Sequence, residues 1–318
     1  MSTKRLAAAA AVALSVGFGP AAMAEFPEDG AIRLVNPYGA GGAVDITARI
    51  LSSVAGEYLN TRVDVVAMPG AGGQEAINFV KDAPADGYTL LITDYGPLIT
   101  TALTEQVDYE LDDWVAVVQI TEVVPAFFAR ADGPVTSVEA WIEAAQADPG
   151  GLTIGHGRHL SVPHLPLILF EQATGTENTH IPTTGGAESL AFVLGGQTDL
   201  GAAIPSTIQG GIDTGDLVAL AVASADRVAS LPETPTLAEL GYDVVLPAWY
   251  TVFAHKDVPA ERLAILEERI VTALESESAQ ALGRRTGIEV RPLGMDASGE
   301  AYTRTIHSLR ELLAAIGQ

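Results

Sequence analysis

Cysteine is absent from the 318 residues, which excludes a disulfide framework, a thiolate nucleophile and any cysteine-based metal site. An oxidising compartment is tolerated without being used. Positive charge is scarce as well: 17 Lys and Arg stand against 40 Asp and Glu, a formal net charge of −23. Such a surface repels nucleic acid and anionic lipid headgroups, so neither is expected as a partner. It also repels anionic ligands at long range, so any anion site here must rest on a local field that overrides the global one. The acidity itself reads as a solvation device.

Several signatures of chemistry are missing too. No G-x-S-x-G elbow, no G-x-x-x-x-G-K-[ST] loop and no H-E-x-x-H pair occurs, which disfavours a serine hydrolase, a P-loop enzyme and a zincin. Ser161, close to His159 and His164, is the one local nucleophile–base pairing, and a triad can be scattered in sequence. Past Ala24 no apolar run is long enough to span a bilayer. Before it, Lys4 and Arg5 precede an Ala/Val/Leu-rich stretch and Ala22-Met23-Ala24, the pattern of a cleaved secretory leader at residues 1–24. Gly17, Gly19 and Pro20 interrupt that stretch, and an uncleaved anchor is the alternative. Without the leader, 15 basic residues face 40 acidic ones, a charge of −25. The expected product is exported, soluble and free of a lipid anchor.

What is present begins with Ile32-Arg33-Leu34-Val35-Asn36, then Pro37-Tyr38-Gly39-Ala40-Gly41-Gly42, then Ala43-Val44-Asp45 opening a periodic stretch to Leu59. Ile46, Ile50, Val54 and Tyr58 recur every four residues, the apolar stripe of a helix on a sheet. The order is therefore strand, glycine loop, helix. Free N–H groups and the positive dipole end converge at that loop, making Gly39 to Ala43 a candidate anion cradle. A second copy follows: strand Val63 to Ala67, glycine turn Pro69-Gly70-Ala71-Gly72-Gly73, helix from Gln74 to Lys81. Turns in consecutive strand–helix units of a parallel sheet open on one crevice and can hold one carboxylate between them. Tight connections that need positive φ are the alternative reading. Asp45 can cap the first helix or accept from a ligand hydroxyl or amino group. Val44 stands where a dinucleotide fingerprint needs its third glycine, so nucleotide binding is disfavoured.

A third strand at 88–93 completes a βαβαβ unit, with Asp94 and Tyr95 at its carboxyl end as a further wall or an ordinary turn. Thr136-Ser137-Val138-Glu139 reads as a capping box before a helix. Beyond the strand at 152–155, the stretch Gly155 to His164 concentrates three of the 6 histidines, His156, His159 and His164, together with Arg158. In a chain so poor in positive charge, this loop is the candidate for the opposite wall. Arg158 suits a second carboxylate on the ligand; the alternative is solvated surface. If His156 and His159 face the ligand, affinity should rise as pH falls through about 6.5. No second ligand cluster supports a metal there, and neither metal nor cofactor is expected. Trp249 and Tyr250 either line a cleft or pack in a core.

Pro37 to Arg49 resembles the P-[FY]-x-x-G-G-x-x-D-x-x-A-R signature of the Bug/TctC family, the periplasmic substrate-binding proteins of tripartite tricarboxylate transporters. Pro69 to Gly73, Asp86 to Leu91, His180-Ile181-Pro182, Leu194 to Leu200, Leu231 to Thr236 and Glu239-Leu240-Gly241 resemble its later motifs in order. The resemblance implies an α/β fold of the type II periplasmic binding protein kind, two hinged lobes around a cleft. Apolar segments at Val123 to Ala129 and Val244 to Ala254 read as crossovers between the lobes, which, after the leader at 1–24, gives a discontinuous first domain at 25–124 and 246–318 and a second domain at 125–245. The resemblance also implies ligand contacts from the loop ending Ser161-Val162-Pro163-His164 and from Pro205-Ser206. Thr183-Thr184 departs from the family's usual Tyr-Lys, and an acidic residue common before Pro-Ser is missing.

The expected function is capture of a small mono-, di- or tricarboxylate and delivery to the large and small membrane subunits of a transporter, by a monomer. A sensor presenting its liganded form to a membrane receptor is the alternative, and a secreted enzyme acting on a carboxylate a further one.

Overall fold

The computed structural model describes residues 26–27 and 30–317; the leader expected at 1–24 lies outside them. Among the described residues ten strands form two five-stranded sheets. Strands β1 (Ile32–Asn36), β2 (Val63–Ala67) and β3 (Thr89–Thr93) alternate with helices α1 (Ala43–Tyr58) and α2 (Gln74–Lys81), followed by the short α3 (Thr101–Thr104) and β4 (Trp114–Val123). The second sheet starts at β5 (Ala126–Arg130), then α4 (Val138–Ala147), β6 (Thr153–His156), α5 (His164–Thr174), β7 (Thr179–Pro182), α6 (Gly186–Leu194), β8 (Leu200–Ala203), α7 (Pro205–Thr214) and β9 (Leu217–Val222). The chain returns through β10 (Ala248–His255) and ends on α8 (Ala260–Glu275), α9 (Glu277–Thr286) and α10 (Met295–Ala315).

The strand orders are β2-β1-β3-β10-β4 and β7-β6-β8-β5-β9. In each sheet the βαβ strands run parallel and the crossing strand, β10 or β5, runs antiparallel between neighbours. The chain thus passes from one sheet to the other after Val123 and back before Ala248. Three buried clusters follow among the described residues. One, on the first sheet, gathers Leu34, Leu51, Ile77, Leu91, Val118 and Leu266; on the second sheet one is built on Phe127, Trp141 and Phe170 and another on Phe128, Val193 and Ile208. Helix α1 buries Val44, Ala48, Ile50, Leu51, Val54 and Ala55, while Ile46 and Tyr58 at the two ends of the expected stripe are only partly buried. No helix among the described residues is long and apolar enough to cross a membrane.

One local expectation needs correction. The cap of α4 is Ser137, which accepts from the Ala140 N–H at 3.2 Å. The box therefore does not start at Thr136: Ser137 is the extended residue that caps the helix, and Glu139 falls one position early. Helix α9, capped by Ser276 accepting from the Ala279 N–H, escapes a reading from sequence because its residues are mostly polar and it buries only Ala279 and Gly283.

Candidate ligand-binding cleft

Both glycine turns lie at the carboxyl ends of adjacent parallel strands, since β1 pairs with β2 in register from Ile32–Val63 to Asn36–Ala67. In the first, Gly39, Ala40 and Gly41 are exposed and Gly42 caps α1 without any side chain on its first-turn N–H groups, including that of Ala43. The N–H of Gly41 is not available to a ligand as the cradle reading expects. It donates to Asp45 Oδ2 at 2.9 Å, and Arg49 Nε meets the same oxygen at 2.7 Å. Asp45 is buried and holds the loop from inside. Burial pushes its carboxyl up, but the bonds from Arg49, Gly41 and Asn36 outweigh this and leave it below the usual carboxylate value.

The second turn is a short 3-10 segment in which Ala71, Gly72 and Gly73 all have positive φ, +49°, +66° and +95°. Glu75 folds back over Gly70. The third wall follows β3: Asp94 accepts from Tyr38 O–H at 2.7 Å and from Gly96 N–H at 2.7 Å. Burial raises the Asp94 carboxyl, opposed by those two bonds and by the Arg158 charge. Burial and the facing Asp94 lift the Tyr38 phenol well above its ordinary value, with Arg158 again pulling the other way.

The second sheet sends its loop into this arrangement. Arg158 reaches across so that a Cβ on Gly72 would lie 2.6 Å from its Nη1, and Ser161 Cα would lie 3.9 Å from a Cβ on Gly96. Tyr95, buried, places its O–H 3.5 Å from the Val162 carbonyl. Leu160, Val162 and Leu165 follow β6 in sequence yet pack into the first core. Tyr38, Gly72, Asp94, Tyr95, Gly96, Arg158 and Ser161 therefore meet at one place. Gly96 is missing from the sequence-based set; its signal is the Asp-x-Gly-Pro turn, in which a Cβ would crowd Asp94 Oδ1 at 3.0 Å.

Other candidates sit elsewhere. Pro205 is buried at the start of α7, and a Cβ on Gly287, at the end of α9, would lie 3.1 Å from Ser206 Cβ. Tyr250 is core, while Trp249 is partly buried beside Asp94 and Gln119. His159 is exposed. His156 and His164 turn inward and stack, ring centroids 3.9 Å apart at 4°. Burial is the main cause that drives His156 down to about 4 and His164 to about 2. The expected gain of affinity near pH 6.5 is therefore corrected for His156, which stays neutral there. Unforeseen in the sequence is His180, brought from β7 to within 3.0 Å of His164 because β6 and β7 pair in parallel register.

Ser161 Oγ is buried without a hydrogen-bond partner among the described residues, and His164 Nδ1 accepts from the Leu160 N–H. Ser161 and His164 therefore do not form a nucleophile–base pair. What the walls offer is an uncapped helix start, a left-handed glycine turn and one guanidinium, the components of an anion site.

Residues 47–302 match the family described as tripartite tricarboxylate transporter family receptor, TctC. This chain belongs to that family. Among curated relatives, the BugT protein of Bordetella pertussis is 31% identical over 251 residues, covering 78% of this chain and 77% of that one. Among solved structures, a Rhodopseudomonas palustris protein with adipate is 28% identical, with a TM-score of 0.83 over 90% of this chain and 97% of the other. The periplasmic binding protein BugD is 25% identical, with a TM-score of 0.82 over 90% and 97%. The TctC fold is thus shared along nearly the whole described chain: two α/β domains of the periplasmic binding protein type.

Proposed function

We propose that this TctC protein captures a small organic carboxylate between its two lobes and hands it to the membrane subunits of a tripartite tricarboxylate transporter. The observation that carries this reading is the reach of Arg158 from the second-sheet loop onto the Gly72 turn of the first. One carboxylate meets the uncapped start of α1 and the Gly70–Gly72 turn, and a second carboxylate on the same ligand takes two parallel bonds from Arg158. A dicarboxylate of adipate's length is the first ligand class to test, because the relative solved with adipate shares the fold at 28% identity. Residues 25–124 with 246–318 form one lobe and 125–245 the other, hinged at the two crossings.

Tyr38, Asp94, Tyr95 and Ser161 line the cleft beside the glycine turns, while Asp45 supports the first loop from behind. The protein is exported to the periplasm by a cleaved leader, acts as a monomer, and performs no catalysis, in keeping with the unpaired Ser161 hydroxyl. The test is calorimetry on protein unfolded and refolded to remove carried-over ligand, with adipate, hexanoate and a tricarboxylate. Stabilisation of RT ln(1 + [L]/Kd), about 2.7 kcal/mol at a hundredfold excess over Kd, is expected for a ligand. No response to any carboxylate refutes the proposal.

A further inference from the structure

Buried His164 and half-buried His180 of the second lobe form a directed chain. The Leu160 N–H donates to His164 Nδ1 at 2.8 Å. A neutral His164 must then carry its proton on Nε2, which lies 3.0 Å from His180 Nδ1 and donates to it. His180 in turn carries its proton on Nε2, 3.1 and 3.0 Å from the two Glu171 oxygens. Glu171 also accepts from the Asn178 N–H and side-chain amide, at 3.1 and 2.7 Å, and Asn178 accepts from Trp141 in the second core at 3.0 Å. Every donor finds an acceptor. The chain runs from the packed interior to one backbone N–H in the cleft loop.

That N–H belongs to a residue under strain. Leu160 has φ +54°, a left-handed conformation that side chains with a Cβ avoid. It closes a turn in which the Ser161 N–H donates to the Arg158 carbonyl at 3.1 Å, so the shape of this turn sets where Arg158 points. We infer that His164, His180 and Glu171 are positioning residues, which hold Leu160 left-handed, place Arg158 across the cleft and so set the preference for dicarboxylates without touching the ligand. The inference rests on the reading of Arg158 as the ligand's second anchor.

Ring nitrogens of His156, His164 and His180 also lie within 4.8 Å of one another, near enough to suggest a metal. The donor set argues otherwise. A metal on His164 Nε2 would move its proton to Nδ1, against the Leu160 N–H that already points there. His156 supplies a buried, unpartnered Nε2, while its Nδ1 lies 2.6 Å from the Gly157 carbonyl. One free imidazole lone pair does not make a site.

The experiment uses the full mature chain as wild type, His164→Leu and His164→Asn, the last keeping an amide oxygen where Nδ1 stood. Nitrogen-15 shifts of the wild type should show His164 unprotonated at Nδ1. In His164→Leu the Leu160 amide should lose its hydrogen-exchange protection, and the preference for adipate over hexanoate should shrink about tenfold; His164→Asn should recover part of both. A protonated His164 Nδ1, or full Leu160 protection in His164→Leu, overturns the inference whatever Arg158 does. If Arg158→Gln leaves the adipate preference intact, the ligand reading fails, and the shifts and exchange still decide the chain. Zinc that raises the melting temperature of the wild type but not of His156→Ala overturns it in favour of a metal centre.

Discussion

Gly72→Ala perturbs the cleft with a single methyl group. Gly72 sits at φ +66°, so alanine there costs about 1–2 kcal/mol in backbone conformation alone. Its Cβ would also stand 2.6 Å from Arg158 Nη1, closer than carbon and nitrogen tolerate, and the flexible guanidinium is the partner that gives way. A displaced Arg158 forfeits a charge-assisted bond of about 1.5–3 kcal/mol to a second carboxylate, roughly tenfold or more in affinity. Calorimetry should therefore show adipate weakened about tenfold or more and hexanoate much less, with a melting temperature lower by a few degrees. Repeating the change in an Arg158→Gln background isolates the pair: once the guanidinium is gone, the alanine should cost no further selectivity. Equal loss for both ligands, unchanged in the double variant, would refute the placement of Arg158 by this turn.

Arg158→Gln alone should weaken adipate about tenfold or more and largely spare hexanoate, measured in the same titrations. Gly42→Val should abolish carboxylate binding while circular dichroism still reports a folded apo protein, because a branched side chain at the α1 start blocks the anion. Asp45→Asn should destabilise the apo protein by about 1–2 kcal/mol in urea unfolding, since it loosens the Gly41 and Arg49 bonds. The folded Asp45 value lies below its unfolded one, so its contribution is present above the unfolded value and lost as pH falls through the folded value. The difference between wild type and variant should shrink over that acid range. His156, neutral until about 4 in the fold but titrating near 6.5 when unfolded, should make stability fall as pH drops from 6.5 to 4, by at most about 1.4 kcal/mol per pH unit. Urea midpoints that stay flat across that window would contradict its burial.

Periodicity and turn chemistry by themselves determined the strand–glycine–helix units at 32–58 and 63–81, because both signals are local: a four-residue apolar spacing and glycines between a strand and a helix. The crossings expected near 125 and 246 rest on a similar signal, apolar runs between units of a different pattern. The 17 basic and 40 acidic residues likewise limited the partners before any fold was known. Tertiary structure decided what each side chain faces. Asp45 and Gly41 are four residues apart and bond each other, so a residue with the look of a ligand contact is a brace. His156 and His164 lie in a stretch read as a ligand-facing wall or as solvated surface and are buried, while Leu160 and Val162 between them pack into the other lobe's core. His180 joins them only through the β6–β7 register. Arg158 meets Gly72 across 86 positions of sequence, counted from their residue numbers, a contact no local pattern encodes. Local sequence sets the conformational preferences of a segment; which charges stay in water and which are desolvated depends on surfaces that meet only after both lobes have folded.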